Sequence, residues 1–250
     1  MAGAVERYLL NKISAEGAVH MTLIDPEKVT LPQASLIAEK AKASGTSAIM
    51  VGGSTFVSTK HLDGVVLTIK RAVGLPVILF PNNVTSISRY ADAIWFMSLL
   101  NSTDPYFIIG AQILGAPLVR KYRLEPIPMG YIIVGEGGTA GIVGKAVPIP
   151  YDKPELAVAH ALAGQYLGMR FIYLEAGSGA RRPVPHGMIQ AVKQCIDVPL
   201  IVGGGIRSRA QAFAAVSAGA DIIVTGNIVE NGQVKDRVSE IVEGVRRGKA

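Results

Sequence analysis

Glu175 ends the apolar run Phe171–Leu174 and is followed by Gly177-Ser178-Gly179. A carboxylate so placed can accept hydrogen bonds from a hydroxylated substrate or take the proton of a hydroxyl nucleophile. Its alternative role is structural, as an acceptor for the amides of its own loop. Two other stretches carry glycine where an anion could approach bare backbone: Gly203-Gly204-Gly205-Ile206-Arg207 and Thr225-Gly226-Asn227. Outward-facing amides and helix N-termini there would bind a phosphate group without a cation. The plainer use of these glycines is to form tight turns.

Asp25, in Ile24-Asp25-Pro26-Glu27, and Ser54, in Gly52-Gly53-Ser54, offer hard oxygen donors. Such a pair suits Mg2+, which takes few protein ligands and completes its shell with water and phosphate oxygens. Asp-Pro is also a common turn opener, so Asp25 could equally cap that turn. His20, His61, His160 and His186 show no metal-ligand spacing, which argues against a zinc site. Arg207 is left unassigned, since a salt bridge on a helix face is as good a reading as a ligand contact.

These residues need elements that bring them together. Continuous aliphatic runs mark strands buried on both faces, as in a parallel sheet. Eight recur: Ala18–Ile24, Ser47–Val51, Pro76–Phe80, Ala93–Met97, Pro128–Val134, Phe171–Leu174, Pro199–Val202 and Asp221–Val224. Helical stretches such as Gln33–Ser44, Glu155–Leu167 and Ala210–Ala218 lie between them, with Gly45 and Gly219 as stops and Ser208 as a cap. The alternation predicts an α/β fold, a single-domain (β/α)8 TIM barrel over residues 1–250. Each candidate chemical residue then falls at the C-terminal end of a strand, where such barrels carry their sites. Only Pro81–Asp92 separates the third and fourth strands, so the third helix is expected to be shortened or replaced by irregular chain. Glu125–Pro128 and Gly135–Pro150 are read as long loops around the fifth strand.

Composition narrows the class further. Half of the 250 residues are hydrophobic (49%), and there are 28 glycines but one cysteine, Cys195. That excludes an internal disulfide and makes a reducing cytoplasm the expected location. Charges at Glu6, Arg7 and Lys12 rule against a signal peptide, and no apolar run is long enough to span a membrane. The net charge of +6 is spread along the chain, with a small cluster at Arg246, Arg247 and Lys249. Without clustered cations interleaved with aromatics, nucleic acid is not an expected partner.

Taken together, the residues resemble the geranylgeranylglyceryl phosphate synthases and their bacterial heptaprenylglyceryl relatives. The likeness runs through nearly the whole chain. It is carried by Leu23-Ile24-Asp25-Pro26 with Gly52-Gly53-Ser54, by Leu79-Phe80-Pro81-Asn82, and by Ser98-Leu99-Leu100-Asn101-Ser102. It continues through Tyr173–Gly179 and the two glycine stretches that follow. The resemblance implies a modified barrel lacking its third helix and a reaction joining geranylgeranyl diphosphate to the 3-hydroxyl of sn-glycerol 1-phosphate. It implies Mg2+ at Asp25 and Ser54 and a catalytic Glu175. Glycerol 1-phosphate would be held by Tyr173, Leu174, Glu175, Ala176, Gly177, Ser178, Gly179, Gly204, Gly205, Gly226 and Asn227.

The resemblance also implies a homo-oligomer, dimer or hexamer, and transient membrane contact through the lipid product. Candidate residues for the prenyl groove are Phe56, Phe80, Ile94, Trp95, Phe96, Met97, Ile108 and Ile113. Trp95-Phe96 resembles the archaeal branch and so favours a C20 donor over a longer one. A flavin-binding barrel with FMN phosphate on the same loops, and a binding barrel without turnover, are the rival readings at this stage.

Overall fold

The computed structural model describes residues 2–53, 58–226 and 234–249. Among them, eight strands close into one parallel barrel in sequence order: β1 (Val19–Ile24), β2 (Ala48–Val51), β3 (Val77–Leu79), β4 (Ala93–Leu99), β5 (Glu125–Ile133), β6 (Phe171–Glu175), β7 (Leu200–Gly203) and β8 (Ile222–Thr225). β8 pairs back on β1, with Val19 opposite Ile222, so no edge strand remains. The helices are α1 (Ala4–Glu16), α2 (Leu31–Ala43), α3 (Thr59–Ala72), α4 (Ala111–Tyr122), α5 (Gly138–Val143), α6 (Pro154–Tyr166), α7 (His186–Cys195), α8 (Arg209–Ser217) and α9 (Val234–Arg247).

The expected caps form: Ser208 accepts from the Gln211 amide, and Gly45 and Gly219 take positive φ behind α2 and α8. Of the two expectations for the short Pro81–Asp92 interval, a shortened helix or irregular chain, the second holds: no helix lies between β3 and β4. Asp92 instead ties the returning chain down. Its carboxylate accepts from the Val77 amide at 2.9 Å and pairs with Lys70 at 2.6 Å.

One expectation fails. Glu125–Pro128 is not loop but the start of β5, pairing with β4 from Ala93 opposite Glu125. Alternation explains how a strand holds two prolines. The Glu125 amide donates to Asp92 on the β4 side and the Val134 amide to Glu175 on the β6 side, so even-numbered residues face β6. Pairing with β6 begins only at Met129, opposite Phe171. Pro126 and Pro128 therefore lack N–H groups where no partner strand waits for them. The expected Gly135–Pro150 loop does exist but folds around the short α5.

Side chains alternate between barrel interior and helix layer. Met21, Met50, Ile78, Trp95, Met129 and Phe171 fill the interior, with Trp95 and Phe171 edge to face at 5.1 Å. α1 forms the floor. Leu9 is fully buried among these residues, the Tyr8 hydroxyl donates to the Ser47 carbonyl at 2.9 Å, and the Glu125 carboxylate accepts from the Val5 and Glu6 amides at 2.8 Å each. This plug leaves the opposite, C-terminal mouth as the open end. Leu9→Ala should lower unfolding stability by about 2–5 kcal/mol in denaturant titration, because a cavity would open beneath the barrel. Unchanged stability would mean that α1 does not close the floor.

Candidate active site

The C-terminal mouth opens into a cavity of ≈310 Å3. Tyr173 and Glu175, two apart on β6, both reach it, whereas Leu174 and Ala176 point into the buried layer between sheet and helices. Glu175 is 7% exposed. Its Oε1 accepts from the Gly177 amide at 2.7 Å, and the Tyr173 hydroxyl hydrogen-bonds the same carboxylate. Burial raises the Glu175 pKa above the ordinary glutamate value, opposed by these two hydrogen bonds. Tyr173 and Tyr131 are driven well above theirs, first by burial and then by the nearby Glu175 charge, so both remain phenols.

The glycines of β7 make room for this carboxylate. Glu175 pairs in register with Gly203. A Cβ on Gly203 would collide with the Tyr173 hydroxyl, and one on Gly204 would lie 2.5 Å from Glu175 Oε1. Gly204 also holds φ +80, a conformation that favours glycine. The turn role and the site role are thus the same role: the backbone bends so that Glu175 can stand at the wall.

The amide cradle is narrower than the sequence suggests. The Ala176 amide donates to the Gly203 carbonyl, and that of Gly177 to Glu175. At the start of α8, Arg207 N–H is taken by Gln211 Oε1, and the Gln211 amide by Ser208 Oγ. Among the described residues, none accepts from the amides of Gly204 and Gly205, and both residues line the cavity. Ser178, Gly179 and Gly226 share this wall. Asn227 and Ser54 lie outside the described residues. Arg207, left unassigned from the sequence, donates through Nη2 to the carbonyls of Gly179 at 2.9 Å and Ala180 at 2.8 Å, strapping the β6 loop to the turn after β7.

Asp25 follows β1 and does cap its turn: Oδ1 accepts from the Glu27 amide at 3.1 Å, and Oδ2 lies 3.8 Å from Lys28 Nζ. It also lies against Gly53 so closely that a Cβ there would strike Oδ1. Gly52 and Gly53 are on the cavity wall. The described residues include no cluster of three or more potential His, Cys, Asp or Glu ligands. A single carboxylate against the Gly53 backbone of the cavity wall suits a hard ion that keeps its waters and does not suit a softer, fully caged one.

The absent helix shapes the rest. Trp95 and Met97 face the barrel interior while Ile94 and Phe96 face outward, yet all four line the cavity. The opening therefore runs from the mouth over the outer side of β4, into space that a helix after β3 would fill. Phe80, Ile87 and Gly115 border it there. Of the expected groove residues, Ile108 and Ile113 are excluded. They face solvent, Ile113 at 64% exposure, because the π turn Tyr106–Gly110 turns Phe107 inward and α4 turns Ala111, Gln112 and Gly115 inward instead. Phe56 lies outside the described residues. Sequence reading also missed Tyr131, which its inward register on β5 would have revealed, and Arg237 of α9, which no motif marks.

Residues 11–245 match the PcrB family. The chain belongs to that family. Among similar proteins, the geranylgeranylglyceryl phosphate synthase of Thermofilum pendens is 54% identical over 99% of this chain and 97% of its own length. That of Thermococcus gammatolerans is 56% identical over 98% of each. The crystal structure of (S)-3-O-geranylgeranylglyceryl phosphate synthase from Thermoplasma acidophilum, in complex with its substrate sn-glycerol-1-phosphate, superposes with a TM-score of 0.94. It is 44% identical and covers 98% of this chain and 99% of that one.

The buried carboxylate has a thermodynamic signature. Because its folded pKa is raised, the native state holds its proton more tightly than the unfolded chain does. That contribution to stability is present at acid pH and lost as pH rises through the folded pKa. Glu175→Gln should therefore melt at higher temperature than the parent at pH 8, with the gap closing on acidification. An equal or lower melting temperature at pH 8 would contradict the burial penalty.

Proposed function

We propose that this PcrB-family chain transfers the geranylgeranyl group of geranylgeranyl diphosphate to the 3-hydroxyl of sn-glycerol 1-phosphate, releasing diphosphate. The observation that carries the reading is Glu175, which stands between amides free for a phosphate and an apolar groove that leaves the barrel beside β4. Its relatives of the same activity match end to end.

In the reaction, the bond from prenyl C1 to the diphosphate oxygen breaks and an ether bond from C1 to the glycerol O3 forms. Glu175 accepts the hydroxyl proton, and the Tyr173 and Gly177 donors hold it in one orientation. Gly204, Gly205, Gly226 and Asn227, with Ser178 and Gly179, hold the acceptor's phosphate, which aims its hydroxyl at C1. Leu174 and Ala176 contribute spacing only. The prenyl tail lies along Phe80, Ile94, Phe96 and Met97. The buried Trp95 ring bounds its inner side, which suits a C20 donor. Asp25 and Ser54 would hold Mg2+, whose charge favours departure of the diphosphate.

A cytoplasmic homo-oligomer, dimer or hexamer, with transient membrane contact through its lipid product, completes the reading. Exposed aliphatics before and on α4 (Ile109, then Ile113 and Leu114) and on α5 (Ile142, Val143) support association. No helix among the described residues is long and apolar enough to cross a membrane.

Incubation with Mg2+, geranylgeranyl diphosphate and each glycerol phosphate enantiomer tests the activity. Product is expected with the sn-1 enantiomer only, and none after EDTA. A heptaprenyl donor should react more slowly than the C20 donor. Asp25→Asn should cut turnover by about 10^2-fold while leaving glycerol 1-phosphate binding intact. Product from another acceptor alone, or EDTA-insensitive turnover, overturns the assignment.

A further inference from the structure

Among the described residues, three charged side chains line the cavity: Glu175, Arg207 and Arg237. Arg207 is already committed to the Gly179 and Ala180 carbonyls. Arg237 is different. α9 buries Val238, Ile241, Val242 and Val245 against the barrel, and Arg237, one residue before this apolar face, is exposed and turned to the cavity. None of the described carboxylates pairs with it. Among the described residues it is thus an uncommitted guanidinium on the cavity wall, a placement that keeps a permanent charge available to a ligand.

Its position selects the ligand. α9 follows β8 and packs against β1, so Arg237 reaches the cavity from the β8 and β1 side, where β1 leads into Asp25. The Gly204 and Gly205 amides, without an acceptor among the described residues, follow β7 and already suit a phosphate monoester. A diphosphate carries more charge than a single divalent ion offsets, and its charge grows at the bridging oxygen as the C–O bond breaks. A planar guanidinium can hold two phosphate oxygens at once. We propose that Arg237 binds the diphosphate of the prenyl donor and stabilises it as it leaves. This rests on the prenyl-transfer reading above. Arg237 contributes charge and hydrogen bonds and transfers no proton.

Calorimetric titration with inorganic pyrophosphate in EDTA isolates this contact from the metal. R237M, and R237Q as a second variant, should lose about tenfold or more in pyrophosphate affinity, and R237K less. Glycerol 1-phosphate affinity should stay within about twofold, and with Mg2+ the KM for the prenyl donor should rise while that for glycerol 1-phosphate holds. Unchanged pyrophosphate affinity in both variants, a loss confined to glycerol 1-phosphate, or a wild type that binds no pyrophosphate would overturn the role of Arg237. Pyrophosphate binding that depends on Arg237, in a protein giving no prenyl product, would support the contact and sink the transfer reading instead.

Discussion

The site depends on keeping one carboxylate, that of Glu175, out of water. Isolated burial of a charged group is costly, and the protein meets that cost locally with one amide and one phenol. Each partner is itself constrained. The amide belongs to a loop strapped by Arg207, and the phenol packs among Phe80 and Tyr131 with ring centroids 5.7 and 5.1 Å away. On the facing strand, side chains are simply missing: Gly203 and Gly204 leave the space that the carboxylate and phenol occupy. A residue held in this way is less stable than its neutral analogue, as sites tuned for chemistry commonly are.

The barrel supplies two further conditions. α1 closes the floor, so the cavity has one mouth. The missing helix after β3 gives that mouth a side exit, through which, in the proposed reaction, a long apolar tail would leave the closed barrel while its reactive end stays within. Polar and apolar halves of one cavity therefore come from different features, glycine turns on β6 to β8 and an omitted helix beside β4.

Much of this was legible in the chain. Doubly buried strands announce themselves as unbroken aliphatic runs, and Pro81–Asp92 is at the lower limit for a helical crossover. Strand ends then select Asp25, Glu175, Gly204 and Gly226 without any alignment. What escaped has common physical causes. Pro126 and Pro128 look like breakers because tolerance in a strand depends on where the neighbouring ladder begins, a tertiary fact. Ile113 looks like groove lining because the rotational phase of α4 is set by its packing and by the five-residue π turn Tyr106–Gly110 before it. Which amides remain free, and which carbonyls Arg207 holds, follow from contacts between distant segments. Leu174 and Ala176 share a motif with Glu175 but face the other way, since residues in a strand alternate.

The pH dependence of kcat/KM tests the role of Glu175 most directly. A proton acceptor must be ionised, so a raised pKa predicts activity that is lost, as pH falls, at a midpoint above the ordinary glutamate range of about 4.3. Glu175→Gln should be slowed by roughly 10^2-fold or more and lack that limb. A parent profile flat down to pH 4, or the same acidic limb in the variant, would contradict the account.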